Sequence, residues 1–146
     1  MSVWLHILIL STLFLAAVVI TFIRHIKAKR FDRLNELYPE EAILFDKSAN
    51  FSGFSSKRGK QIRGNGILAL YKTEIVFIMW LPAKEVIIPL SAIKKVDTVR
   101  MHAGRWLIYP QLHIIYEIDG KTEGVAWATN HINEWVETLQ TSLPVE

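Results

Sequence analysis

A chain of 146 residues without a single cysteine is one domain's worth of material, and it excludes disulfide frameworks, thiolate zinc sites, iron–sulfur clusters and cysteine nucleophiles. The net charge of +3 is uneven: residues 24–63 carry ten Lys/Arg against five Asp/Glu, residues 64–146 seven against nine. A basic excess confined to one stretch of an otherwise slightly acidic chain argues against nucleic-acid binding, and the cysteine-free composition fits a reducing compartment.

Val3 to Ile23 holds 21 residues with no Asp, Glu, Lys or Arg, fourteen of them Leu, Ile, Val or Phe. At about 1.5 Å per residue this is the thickness of bilayer hydrocarbon, so residues 1–23 are expected to be a transmembrane anchor helix. Ser11, Thr12 and Thr21 can bond back to the helix backbone, and Trp4 and His6 stand at the end where an amphipathic ring suits the interface. A cleaved signal peptide is the rival, but it would need a charged start, a shorter core and a small-residue cleavage site, and this stretch has none of them. Arg24, Lys27, Lys29, Arg30 and Arg33 all follow the span, which predicts a cell-membrane protein with a single pass, its N-terminus outside and its domain cytoplasmic. Contact of these five with anionic lipid is a second reading, though topology alone accounts for them.

Phe31, Leu34, Leu37 and Tyr38 keep a helical spacing, so residues 24–40 are expected to be a basic helical stalk that Pro39 ends. Strands follow. Ala42–Asp46 is a short candidate, and Lys47–Asn65, rich in Ser, Gly and basic residues, is expected to be a loop or an irregular hairpin. Two β-rich runs, 67–71 and 75–80, flank Lys72-Thr73-Glu74 as a hairpin. A run from Glu85 meets Pro89, which cannot donate to a central ladder. A helical turn over Ser91–Ile93, a strand over 95–101, a loop from His102 to Pro110, and strands 111–118 and 122–127 about Asp119-Gly120 complete the set. The last element is a helix capped by Thr129 or Asn130, with Ile132, Trp135, Val136, Leu139 and Leu143 on one face. The fold class is therefore α+β: an N-terminal transmembrane helix, then a seven-stranded curved sheet or partly open barrel capped by an amphipathic helix.

The order Gly66-Ile67-Leu68-Ala69-Leu70, Ile75-Val76-Phe77, Ile88-Pro89-Leu90-Ser91-Ala92-Ile93, Leu112-His113-Ile114 and Asn133-Glu134-Trp135, preceded by Asn50 and Gly53, resembles the pleckstrin-homology-like superfold, most closely its GRAM-type domains. The resemblance covers roughly residues 41–141, and places a PH/GRAM-like domain over 41–143. Tyr71-Lys72 before Thr73 departs from the family's usual threonine after the second leucine. The resemblance implies that Lys57, Arg58, Lys60 and Arg63, in the loop between the first two strands, occupy the place where lipid-binding members grip a phosphorylated headgroup. A shared superfold does not confer a shared ligand.

No catalytic constellation accompanies this pattern. Gly53 and Gly59 are one position too far apart for a phosphate-binding P-loop, and Gln61 stands where Ser or Thr should meet magnesium. The five histidines lack metal-ligand spacing, with His113 expected to be a structural residue of a strand, and no serine has a nucleophile-elbow frame. Trp106 and Tyr109 are expected either to close the end of the sheet or to form an aromatic patch for a partner protein or the membrane interface, whereas Trp127 and Trp135 belong to the core. The expected protein is thus a non-enzymatic binding module without cofactor or metal. It binds an anionic lipid surface or acts as a scaffold; the alternative is an accessory subunit that docks on another membrane protein.

Overall fold

The computed structural model describes residues 2–144, and the chain divides after Pro39 into two compact units. The first is a helix, α1, over Val3–Leu37, closed by a bond from the Tyr38 amide to the Leu34 carbonyl, 2.8 Å. It is long and apolar enough to cross a membrane. Of the predicted 1–23 anchor, Met1 lies outside the described residues. The hydroxyls inside the apolar stretch are satisfied locally: Ser11 and Thr12 donate to the Leu8 carbonyl, and Thr21 to that of Ala17, at 2.8–2.9 Å.

The second unit is an antiparallel sheet of seven strands in the order β4-β3-β2-β1-β7-β6-β5, followed by a helix. The strands are β1 Leu44–Phe54, β2 Gly64–Leu70, β3 Glu74–Met79, β4 Lys84–Pro89, β5 Ile93–His102, β6 Arg105–Ile118 and β7 Lys121–Ala128. A 3-10 turn over Leu90–Ala92 joins β4 to β5, and the final helix, α2, spans Ile132–Ser142. This topology is compatible with a pleckstrin-homology-like fold. One face of the sheet carries Phe51, Leu68, Leu70, Phe77, Leu112, Ile114 and Trp127, all buried, and α2 adds Trp135 and Leu139 to the same core. Phe51 lies at ring-centroid distances of 5.4 Å from Phe77 and 5.7 Å from Trp127. Both Trp127 and Trp135 are core residues, as their phase on each element predicts.

One local expectation is sharpened and two are corrected. The Lys47–Asn65 stretch is the irregular hairpin of its two expected alternatives: β1 runs to Phe54, β2 starts at Gly64 and pairs with it antiparallel, and 55–63 is the loop. Register shifts at Asp46/Ala49 against β2 and at Phe51/Gly53 against β7 break the two-residue alternation that would have exposed the strand in sequence. The His102–Pro110 loop is instead a tight turn at Ala103-Gly104, φ 50° and 76°, from which β6 leaves directly. Between the pairs Val99–Gln111 and Met101–Trp106, β5 has one residue and β6 four, so a large bulge sets off the end of this hairpin as an arm. Finally, α2 is capped by His131 in the left-handed region, not by Thr129 or Asn130. Asn130 is held elsewhere: its amide donates to Asp46 Oδ2 at 2.7 Å and its Nδ2 to Ser48 Oγ at 3.0 Å.

Candidate functional site: the tail of β1 and the arm beside it

The site is built around three residues of β1 that have left their first partner. Pairing of β1 with β2 ends at Phe51 and Gly64, and pairing with β7 resumes at Gly53 after the bulge, which leaves Ser52 over. Backbone groups at such a break still need partners, and here side chains supply them. Arg63 Nε donates to the Ser52 carbonyl at 2.8 Å, and His102 Nε2 to that of Gly53 at 2.8 Å. The Phe54 amide donates to Gln61 Oε1 at 2.7 Å, and Gln61 Nε2 donates back to the Phe54 carbonyl at 3.0 Å. Ser52 Oγ donates to Gln111 Oε1. Gly53 adopts φ 106°, a conformation that favours glycine, and a Cβ there would lie 2.5 Å from the Gln61 side-chain amide and displace it.

These bonds pin the basic loop. Gln61 Nε2 also reaches the Lys57 carbonyl, and Arg63 Nη1 donates to that of Gly59 at 3.2 Å. From β7, the Glu123 carboxylate accepts the Ser55 hydroxyl at 2.8 Å, the Ser56 amide at 3.1 Å and the Ser56 hydroxyl. Burial pushes the Glu123 pKa up, but these hydrogen bonds and the one from the Gly124 amide outweigh it and leave it below the ordinary carboxylate value. Glu123 is therefore an ionised clamp at neutral pH.

The four predicted loop cations do not form one group. Lys57, Arg58 and Lys60 are exposed on the pinned loop, with Lys57 Nζ 5.4 Å from the centre of the Phe54 ring. Lys84 sits over the same ring at 4.7 Å, and burial followed by the Lys57 charge lowers its pKa. Arg63 is half-buried and bonded to backbone, so it braces the loop from inside. It lines instead a cavity of about 390 Å³, whose other walls come from Trp106, Tyr109 and neighbours on the arm. Sequence groups 43 or more positions apart thus meet at one concavity. Trp106 and Tyr109 are 81% and 73% exposed, so they do not close the end of the sheet. The juxtamembrane cations Arg24, Lys27, Lys29, Arg30 and Arg33 all lie on α1.

Ser52, His102 and Gln111 line the same cavity, and sequence reasoning singled out none of them. Each is buried and polar, a state written by partners 49 to 59 residues away and not by neighbours in the chain. Burial lowers the His102 pKa, against the raising effect of the Gly53 bond, so its ring is neutral near pH 7. His113 lies beside it, ring centroids 5.5 Å apart, and bonds Asp97 Oδ1 at 2.7 Å. Among the described residues no group of three or more His, Asp or Glu could hold a metal ion. Neither a scan against protein-family models nor a search of curated proteins returns a match for this chain.

Proposed function

We propose that the protein is a non-enzymatic binding module, a PH/GRAM-like domain tethered by α1 at the cytoplasmic face of the cell membrane, which binds that membrane's anionic surface. The observation that carries this reading is the state of the 55–63 loop. Its backbone is held by Gln61, Arg63 and Glu123 while the side chains of Lys57, Arg58 and Lys60 are exposed, with no acid among residues 57–63. A loop whose backbone is already tied loses less backbone freedom on meeting phosphate oxygens, and each cation near anionic lipid contributes roughly 1 kcal/mol. Tethering raises the effective concentration of that surface, so weak contacts suffice. The basic run after the apolar stretch supports the inward orientation.

The test is hydrogen–deuterium exchange of the full chain in nanodiscs of neutral or anionic lipid. Amides of 55–63 are expected to gain protection only with anionic lipid, and to lose it in high salt and in Lys57→Glu/Lys60→Glu. Protection that ignores lipid charge would sink the reading. Orientation is checked separately: a C-terminal tag labelled from outside intact cells overturns the cytoplasmic assignment.

A further inference from the structure

The cavity between the tail of β1 and the β5–β6 arm has the composition of an anion site. Its lining includes two guanidinium groups, Arg63 and Arg105, with the uncharged polar side chains of Asn50, Ser52 and Gln111, and no Asp or Glu. The Arg105 side chain is exposed and has no ion-pair or hydrogen-bond partner among the described residues. Arg63 uses Nε and Nη1 to brace the loop, but its Nη2 is buried without a partner. A buried donor left unpaired costs free energy, which an oxygen that reached it would recover. The fork of an arginine matches a phosphate or carboxylate, and about 390 Å³ is the size of a small-ligand site.

The rim of the same cavity is apolar. Trp106 is 81% exposed, Ile108 83% and Tyr109 73%, with Met101 paired to Trp106 across the hairpin and 58% exposed. Rings with one polar end beside an aliphatic residue suit the boundary between headgroups and acyl chains. A cationic floor behind an apolar rim matches a molecule with a phosphate at one end and hydrocarbon at the other.

We propose that this cavity seats the headgroup phosphate of an anionic phospholipid, with Trp106, Ile108 and Tyr109 entering the bilayer interface around it. The inference rests on the membrane-binding reading above, and adds a stoichiometric site that the exposed loop does not form: Arg105 and Arg63 hold the phosphate, while Lys57, Arg58 and Lys60 supply diffuse attraction. The site takes a single lipid, and it discriminates against zwitterionic headgroups because a quaternary ammonium is repelled by the two guanidinium charges and a phosphodiester carries less charge than a phosphomonoester.

The experiment is native mass spectrometry of the full chain in detergent, titrated with short-chain phosphatidic acid, short-chain phosphatidylcholine or glycerol 3-phosphate. One phosphatidic acid per chain is expected, with much weaker adducts of the other two. Arg105→Glu and Trp106→Ala, both at exposed positions, should each weaken that adduct, Arg105→Glu by about tenfold or more. Lys57→Glu/Lys60→Glu should keep the adduct while abolishing the loop's lipid-dependent protection, so the two readings fail separately. Wild-type affinity in Arg105→Glu overturns the site, as does equal binding of phosphatidylcholine. Glycerol 3-phosphate binding as tightly as the lipid would make the ligand a soluble phosphate and overturn the lipid assignment. A photo-crosslinker at position 106 that reacts with a protein and never with lipid would overturn it in favour of a protein partner.

Discussion

The core face of the sheet and the β5–β6 arm are made of the same kinds of residue and treat them oppositely. Phe51, Phe77, Trp127 and Trp135 are enclosed between the sheet and α2, each within 2% of full burial. Met101, Trp106, Ile108 and Tyr109 are exposed on a hairpin end set off by the bulge before Met101. Residue type therefore does not separate a core aromatic from a surface one; the strand's position in the sheet does. An exposed aromatic cluster gains little from burial, and such a patch marks a surface for binding.

The comparison breaks if the two sets respond alike to truncation. Trp127→Ala should cost about 3–5 kcal/mol by denaturant or thermal unfolding of the full chain in detergent, whereas Trp106→Ala should stay within about 0.5 kcal/mol of wild type. A comparable loss in Trp106→Ala would mean that the arm is structural. Next in size is the junction between the regions. His102→Ala leaves the Gly53 carbonyl without its donor in a buried place, and a loss of about 1–3 kcal/mol is expected in the same unfolding assay.

The same histidine sharpens the comparison through pH. Its folded pKa lies below the unfolded value, so the unfolded chain binds the proton first as pH falls. The stability that depends on neutral His102 is complete above about pH 6.5 and declines as pH drops from there through the lower folded value. Melting temperature should fall over that window in the wild type and fall less in His102→Gln, which carries no titrating ring. A smaller loss than that of His102→Ala belongs to Asp97. Burial raises its pKa, but hydrogen bonds from Lys95 and His113, then their charges, bring it below the ordinary value. Its contribution is present above the unfolded pKa and is lost as pH falls through the folded one. With Lys95 at 2.7 Å and largely exposed, Asp97→Asn should cost about 1 kcal/mol or less near pH 7, a difference that vanishes in strong acid.

Much of the fold was legible because it rests on patterns that neighbours in the chain write. The apolar stretch of α1, the runs that became β2 and β3, the Asp119-Gly120 turn and the apolar stripe of α2 each follow from spacing or from local turn chemistry. The tail of β1 was hidden because its bulges interrupt alternation, and the arm because a proline and a glycine near Trp106 read as loop. The four-cation cluster was visible as charge. Its division into three exposed cations and one brace was not, since nothing local says that Arg63 will find the Ser52 carbonyl.

By itself the sequence determined that there is a hydrocarbon-length helix, a seven-strand domain closed by an amphipathic helix, and a basic loop between the first two strands. Those outcomes depend on periodicity and composition over a few residues, where local physics dominates. Only the tertiary structure decided that Arg63, Arg105, Ser52, Gln111 and Trp106 surround one cavity, because that meeting depends on sheet order and on two bulges. Strand register joins residues up to 78 positions apart, as Asn50 and Ala128 are, and no short-range pattern encodes it.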